Sequence, residues 1–139
     1  MCRDVIAACR ALGDVSVADA PGGQGKAVVA GLETVHETPV AIVNADLPCV
    51  TTAELEVLVA AAPAIVPARD GTTNAIALAD PSHFRPLYGR KSARRFERAL
   101  GARTLDLPGL VDDVDTWDDL RRVADRVGPF TRRALKARV

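Results

Sequence analysis

The apolar run Pro39-Val40-Ala41-Ile42-Val43, followed at once by Asn44-Ala45-Asp46-Leu47-Pro48, constrains the fold more than any other stretch of the chain. Small and β-branched residues with no internal charge make a strand, and the Pro and Thr51-Thr52-Ala53-Glu54 that follow mark a turn and a helix start. A strand that stops at a carboxylate places Asp46 at the carboxyl edge of a parallel sheet, the edge where open α/β sheets bind ligands. A carboxylate there is suited to hold a divalent metal against a phosphate. It is equally suited to cap the next helix.

A second acidic stretch bears on that choice. In Leu110-Val111-Asp112-Asp113-Val114-Asp115-Thr116-Trp117-Asp118-Asp119 a short strand is expected to end at Asp115 and lead into a helix capped by Thr116, with Asp119 completing a capping box. If both strands end on one sheet edge, Asp46 and Asp115 share one Mg²⁺. Only one residue of the Asp113/Asp115 pair is expected to ligate; Asp115 is preferred and Asp113 is the alternative. Asp118 and Asp119 read as a solvated turn that benefits from the helix dipole.

Along the chain strands alternate with helices, which argues for a helix-covered, mostly parallel sheet. Helices are expected over 5–12 (closed by Gly13), 26–35, 52–62, 92–100 (closed by Gly101), 118–127 and 130–139. Strands are expected over 15–18, 40–44, 64–68, 74–79 and 103–107. Pro21-Gly22-Gly23-Gln24-Gly25-Lys26 precedes a helix, and its glycines let backbone N–H groups approach a ligand. It lacks the Gly-Lys-Ser/Thr ending of a Walker A loop. Asp70-Gly71-Thr72-Thr73-Asn74 offers a turn with two hydroxyls, and Tyr88-Gly89-Arg90-Lys91-Ser92 a hydroxyl at a helix start, both suited to an anionic group. Of the cations on the 92–100 helix and its approach, only Arg90 or Lys91 is expected to reach an anion.

Taken in order, Gly-Gly-Gln-Gly-Lys-Ala, Asn-Ala-Asp-Leu-Pro, Asp-Gly-Thr-Thr-Asn, Tyr-Gly-Arg-Lys-Ser-Ala and Asp-Val-Asp-Thr-Trp-Asp-Asp-Leu resemble the guanylyltransferases of coenzyme F420 biosynthesis, over residues 4–127. The resemblance implies one Rossmann-like nucleotidyltransferase domain, of the nucleotide-diphospho-sugar transferase type, with three layers and a mostly parallel sheet. It implies transfer of GMP from GTP to phosphoenolpyruvate or 2-phospho-L-lactate, with release of pyrophosphate and with Mg²⁺ as cofactor. Asp46 and Asp115 then become catalytic metal ligands. Gly23, Gln24 and Gly25 become nucleotide-binding residues; Thr73 (or Thr72), Gly89 and Ser92 grip the acceptor. Lys26 stands where that family carries Asn or a similar residue. Such chains also begin with a strand, a basic phosphate-gripping loop, a helix and a second strand ahead of the helix that here starts near Asp4, so a chain truncated at its N-terminus is expected. A molybdopterin-type nucleotidyltransferase and a non-catalytic, partner-binding remnant are the competing readings.

Composition narrows the classes further. A chain of 139 residues, 48% hydrophobic, can bury one core, but with 4% aromatics that core must be filled by Ala, Val and Leu. Lys plus Arg and Asp plus Glu both number 18, which argues against a general nucleic-acid binder. No apolar run approaches a membrane span or signal peptide, so the cytoplasm is the expected compartment. A homodimer is left open. Cys2, Cys9 and Cys49 have no metal spacing and read as reduced, small apolar residues. His36 and His83 lie beside no nucleophile and are expected at the surface, while Trp117 is expected to pack at its helix start. Nucleotidyl transfer needs no nucleophile–base pair, because positioning and charge neutralisation supply most of the catalysis.

Overall fold

The computed structural model describes residues 1–137 and orders their elements as α1 (Cys2–Arg10), α2 (Gln24–Leu32), β1 (Val40–Val43), α3 (Thr52–Ala60), β2 (Ala64–Pro67), β3 (Thr73–Leu78), α4 (Ser92–Leu100), β4 (Arg103–Thr104), α5 (Pro108–Val111), α6 (Trp117–Val123) and α7 (Pro129–Lys136). The strands form one sheet in the order β1-β3-β2-β4. This sheet is mixed, which corrects the mostly parallel expectation: β3 is antiparallel to both neighbours, and only β2 and β4 pair in parallel. The cause is the turn over 68–72, closed by the Ala68 N–H on the Thr72 carbonyl at 3.0 Å. A link that short returns the chain antiparallel, since a parallel return needs a crossover of roughly a dozen residues or more. Gly71, at φ 84°, supplies the left-handed position the turn requires. β1, β2 and β4 therefore share one direction and β3 alone is reversed.

All six positions of β3 are buried, and the period of two splits its side chains between two helix layers. Ala75 and Ala77, with Ala64 and Val66 of β2, pack against Val5 and Ala8 of α1, Leu55 and Leu58 of α3, and Leu110 of α5. Ile76 and Leu78, with Ile65, pack against Val28 of α2 and Phe96 of α4. The few aromatics gather on that second face: Phe84, Tyr88 and Phe96 touch with ring centroids 5.1–6.2 Å apart. Fully burying a side chain such as Phe96 contributes about 1.5–3 kcal/mol.

Local chemistry explains where the helices begin. Thr51 and Glu54 form a reciprocal capping box at α3, and Thr116 and Asp119 form another at α6. Gly101, in the left-handed region at φ 59°, stops α4. Four expectations need correction. Residues 14–20 carry no strand; Val17 is 64% exposed, and a strand without a ladder partner has nothing to hold it. The strand expected over 103–107 is ordered only at Arg103–Thr104. The strand expected to end at Asp115 is instead one helical turn started by Pro108, then an irregular segment over 112–116. Trp117, expected to be packed at its helix start, is 57% exposed. The tail helix α7 lies inside the expected 130–139 range apart from Pro129, and residues 138–139 fall outside the described residues. No helix among the described residues is long and apolar enough to cross a membrane.

Asp4 ties the two ends of the chain together. Its buried carboxylate accepts from the Phe130 N–H (3.0 Å), the Thr131 N–H (2.9 Å) and the Thr131 hydroxyl (2.6 Å), capping α7 from α1 where Gly128 has no side chain to offer. A Cβ at Gly128 would collide with that carboxylate, so the glycine and the aspartate require each other. Hydrogen bonds to a charged group are worth about 1.5–3 kcal/mol, and an N-cap about 1. Asp4→Ala is therefore expected to destabilise the chain by about 2–4 kcal/mol, read as a lower urea midpoint at unchanged slope. An unchanged midpoint would show that the contact contributes nothing.

Candidate active site

Reversal of β3 brings its first residues, Thr73 and Asn74, to the rim where β1 and β2 end. A cleft of ≈ 260 Å³ opens there, lined by Asn44 and Asp46 after β1, Asp70 and Thr72 on the β2–β3 turn, Thr73 and Asn74 of β3, Gln24 of α2, Tyr88, Gly89 and Ser92 before and at the start of α4, and Asp113 and Asp115. This is the strand-end position at which α/β sheets bind ligands.

At its centre the carboxylates of Asp46, Asp113 and Asp115 lie within 4.8 Å of one another. The two acidic segments are joined by the Val114 N–H, which donates to the Asp46 carbonyl at 3.1 Å. Val114 itself is buried among Cys49, Val123 and Val127. In extended backbone, residues two apart share a side, so burying Val114 sends both Asp113 and Asp115 toward the cleft. The expectation that only one of that pair could ligate is thereby corrected. Asp46 Oδ1 is buried without a hydrogen-bond partner among the described residues. Burial, and then the charges of Asp113 and Asp115, push the Asp46 carboxyl above its ordinary range. An unpartnered oxygen in an all-carboxylate group is the donor set of a hard divalent cation.

Neutral amides hold this centre in place. Asn74 donates through Nδ2 to the Leu110 and Val111 carbonyls at 3.0 and 3.1 Å, fixing the turn that leads into Asp112. Asn44 accepts from Gln24 Nε2 at 2.7 Å and donates to the Thr73 carbonyl at 3.3 Å, linking the start of α2 to both strands. Asp112 points away from the cleft, and its carboxyl is held below the ordinary range by hydrogen bonds from Arg69 and Arg126, against the opposing effect of burial. Asn44, Asn74, Asp70 and Tyr88 had no role assigned from sequence. The signal was there for Asn74, a polar residue at the head of the otherwise apolar strand expected over 74–79.

The hydroxyls of Thr73 and Ser92 are buried and 2.8 Å apart. Thr72 donates to the Asp70 carboxylate through N–H and hydroxyl at 2.9 and 2.6 Å, so its polar groups are committed to the turn. Gly89, at φ 107°, and Lys91, at φ 56°, bend the chain sharply into α4. Arg95 braces this bend, donating to the Leu87, Tyr88 and Arg90 carbonyls at 2.7–3.1 Å. Arg90 and Lys91 are exposed and do not line the cleft, contrary to expectation; no Lys or Arg lines it among the described residues. Of the three residues expected to bind nucleotide, only Gln24 lines the cleft. Gly23 supplies φ 90° at the N-cap of α2, and Gly25 lets that helix approach Pro86, where a Cβ would stand 2.7 Å from the proline Cβ. His36 and His83 are exposed as expected, and burial pushes the Cys49 thiol up, away from reactivity.

The molecule is thus an α/β protein with an acidic, strand-end cleft able to hold a metal. No protein-family model matches the chain. Curated relatives do: proteins named phosphoenolpyruvate guanylyltransferase from Streptomyces coelicolor (41% identical over 143 residues, 93% of this chain and 66% of the relative), Geodermatophilus obscurus (38% over 132 residues, 89% and 61%) and Sphaerobacter thermophilus (42% over 93 residues, 60% and 45%). The chain belongs to the phosphoenolpyruvate guanylyltransferase family. The matched stretch spans about half to two thirds of those relatives' own length.

A raised carboxyl pKa has a defined sign for stability. The contribution of Asp46 is most favourable below its unfolded pKa of about 3.9 and is lost as pH rises through the higher folded value. At neutral pH and without metal, Asp46→Asn is therefore expected to raise the thermal midpoint, with the difference vanishing at acid pH. Millimolar Mg²⁺ is expected to raise the midpoint of the wild type and not of the variant. Equal responses to Mg²⁺ would remove Asp46 from the metal site.

Proposed function

We propose that this chain carries the catalytic cleft of a guanylyltransferase that moves GMP from GTP to phosphoenolpyruvate, releasing pyrophosphate, as a step of coenzyme F420 biosynthesis. One observation carries the reading: the cleft is lined by four carboxylates, Asp46, Asp70, Asp113 and Asp115, and by no Lys or Arg among the described residues. Two phosphorylated anions can enter such a cleft only with compensating positive charge. Asp46, Asp113 and Asp115 fit a divalent cation, which we take to be Mg²⁺; when bound it neutralises phosphate charge and polarises the reacting phosphorus. The relatives' names favour phosphoenolpyruvate over 2-phospho-L-lactate as acceptor. We further assign the mixed sheet to a Rossmann-like nucleotidyltransferase fold, and three free cysteines agree with a cytoplasmic, reducing compartment.

In the reaction a phosphate oxygen of phosphoenolpyruvate attacks the α-phosphorus of GTP. The new P–O bond forms as the bond to the β-phosphate oxygen breaks, and pyrophosphate leaves with that electron pair. No covalent enzyme intermediate and no protein base are required, because the attacking oxygen is already ionised. Gln24, with its amide set by Asn44, and the N-terminus of α2 beside it face the nucleotide. The paired hydroxyls of Thr73 and Ser92, with the Gly89 bend, hold the acceptor. Asp46, Asp113 and Asp115 would hold the divalent cation, which would supply charge neutralisation to the phosphates.

Incubation with Mg²⁺, GTP and phosphoenolpyruvate is expected to yield pyrophosphate and the guanylated acceptor, identified by mass spectrometry. Asp46→Asn and Asp115→Asn are expected to slow turnover by roughly 100-fold or more, since a metal's charge stabilisation is worth several kcal/mol. Consumption of CTP in place of GTP would favour a molybdopterin-type enzyme. Full activity in Asp46→Asn would rule out a metal-dependent transfer centred on this residue.

A further inference from the structure

Asp112 lies next to the acidic centre yet takes no part in it. Its carboxylate is 2% exposed; Oδ1 accepts from Arg69 Nε at 2.6 Å and Oδ2 from Arg126 Nη2 at 2.6 Å, with Arg122 Nη2 at 3.9 Å from Oδ1. Burying a carboxylate beside guanidinium groups is a weak route to stability, because removing the charges from water offsets much of their attraction. What such a group does supply is direction. A planar carboxylate held on both oxygens fixes the rotation of the backbone that carries it. Arg69 ends at one side of the cleft, immediately before Asp70 and the turn bearing Thr72 and Thr73. Asp112 begins the other side, immediately before Asp113.

We propose that Arg69 and Asp112 are positioning residues, which strap the β2–β3 turn to the 112–115 segment and so hold Asp113 and Asp115 facing Asp46. The proposal rests on the metal-binding reading of that cluster. It agrees with the other restraints on the segment: Asn74 fixes the carbonyls of Leu110 and Val111 just upstream, and the Val114 N–H is bonded to Asp46 just downstream. Without the strap, the stretch between those two anchors keeps the Arg126 contact and the longer one from Arg122. The strap also couples the acceptor side of the cleft to the metal side, since one end of it carries the hydroxyls and the other the carboxylates.

Charge alone makes the opposite prediction. Arg69 is a cation close to a cation site, so deleting its charge would by simple electrostatics tighten metal binding. A positioning role requires that the same deletion weaken it. The test is Mn²⁺ affinity, measured by electron paramagnetic resonance on the purified chain, with thermal unfolding in the absence of metal as a check on folding. Arg69 is 63% exposed, so Arg69→Met is expected to fold as the wild type does. We expect it to weaken Mn²⁺ binding about 10-fold, the effect of removing a group that orients metal ligands, and we expect Arg69→Lys to recover part of that loss. Asp112→Asn should weaken Mn²⁺ similarly; should it fail to fold, Arg69→Met still decides. Mn²⁺ binding by Arg69→Met as tight as, or tighter than, wild type overturns the strap alone. Absence of Mn²⁺ binding in the wild type overturns the metal reading and the strap with it.

Discussion

Three like charges gathered at one rim of the sheet are the constraint on which this structure turns. Asp46, Asp113 and Asp115 would separate if their segments were free, since like charges repel and burial acts against the ionised form of Asp46. Beside the Arg69–Asp112 strap, they are held by groups that carry no opposing charge. The Val114 N–H bonds the Asp46 carbonyl, the Asn74 amide bonds the carbonyls ahead of Asp112, and Val114 is anchored in a small apolar cluster. A cation bound among them would restore stability lost in this way.

The reversed strand β3 serves both the core and the site. In the core it is the one strand buried on every residue, giving Ala to one helix layer and Ile and Leu to the other. At the rim its direction matters more. Because β3 runs against β1 and β2, its first residues stand where theirs end, and Thr73 and Asn74 join Asn44, Asp46 and Asp70 around one cleft. A parallel β3 would have carried these two polar residues to the opposite edge.

Much of this was legible in the sequence where local chemistry decides the outcome. Thr51 with Glu54 and Thr116 with Asp119 announced two helix starts, Gly101 announced the end of α4, and the apolar run before Asn44 announced β1. The convergence of Asp46 and Asp115 could be anticipated from strand ends, although the later segment reaches the rim as irregular backbone. What stayed hidden depends on contacts distant in sequence. The direction of β3 follows from its pairing, not from its residues; the aim of Asp113 follows from the burial of Val114; and Arg90 and Lys91 look suited to an anion until the bend at Gly89 turns them outward. Arg95, which looked like one more solvated cation on α4, is occupied by three backbone carbonyls of that bend. The family resemblance added what no spacing could, a nucleotide and an acceptor to propose for the two sides of the cleft.

The most direct test is crystallographic. Crystals of the chain grown with Mn²⁺ and GTP should show an anomalous scattering peak coordinated by carboxylate oxygens of Asp46, Asp113 and Asp115, with the nucleotide phosphates completing its shell. A peak elsewhere on the surface, or ordered nucleotide in the cleft with no metal among these three residues, would contradict the account.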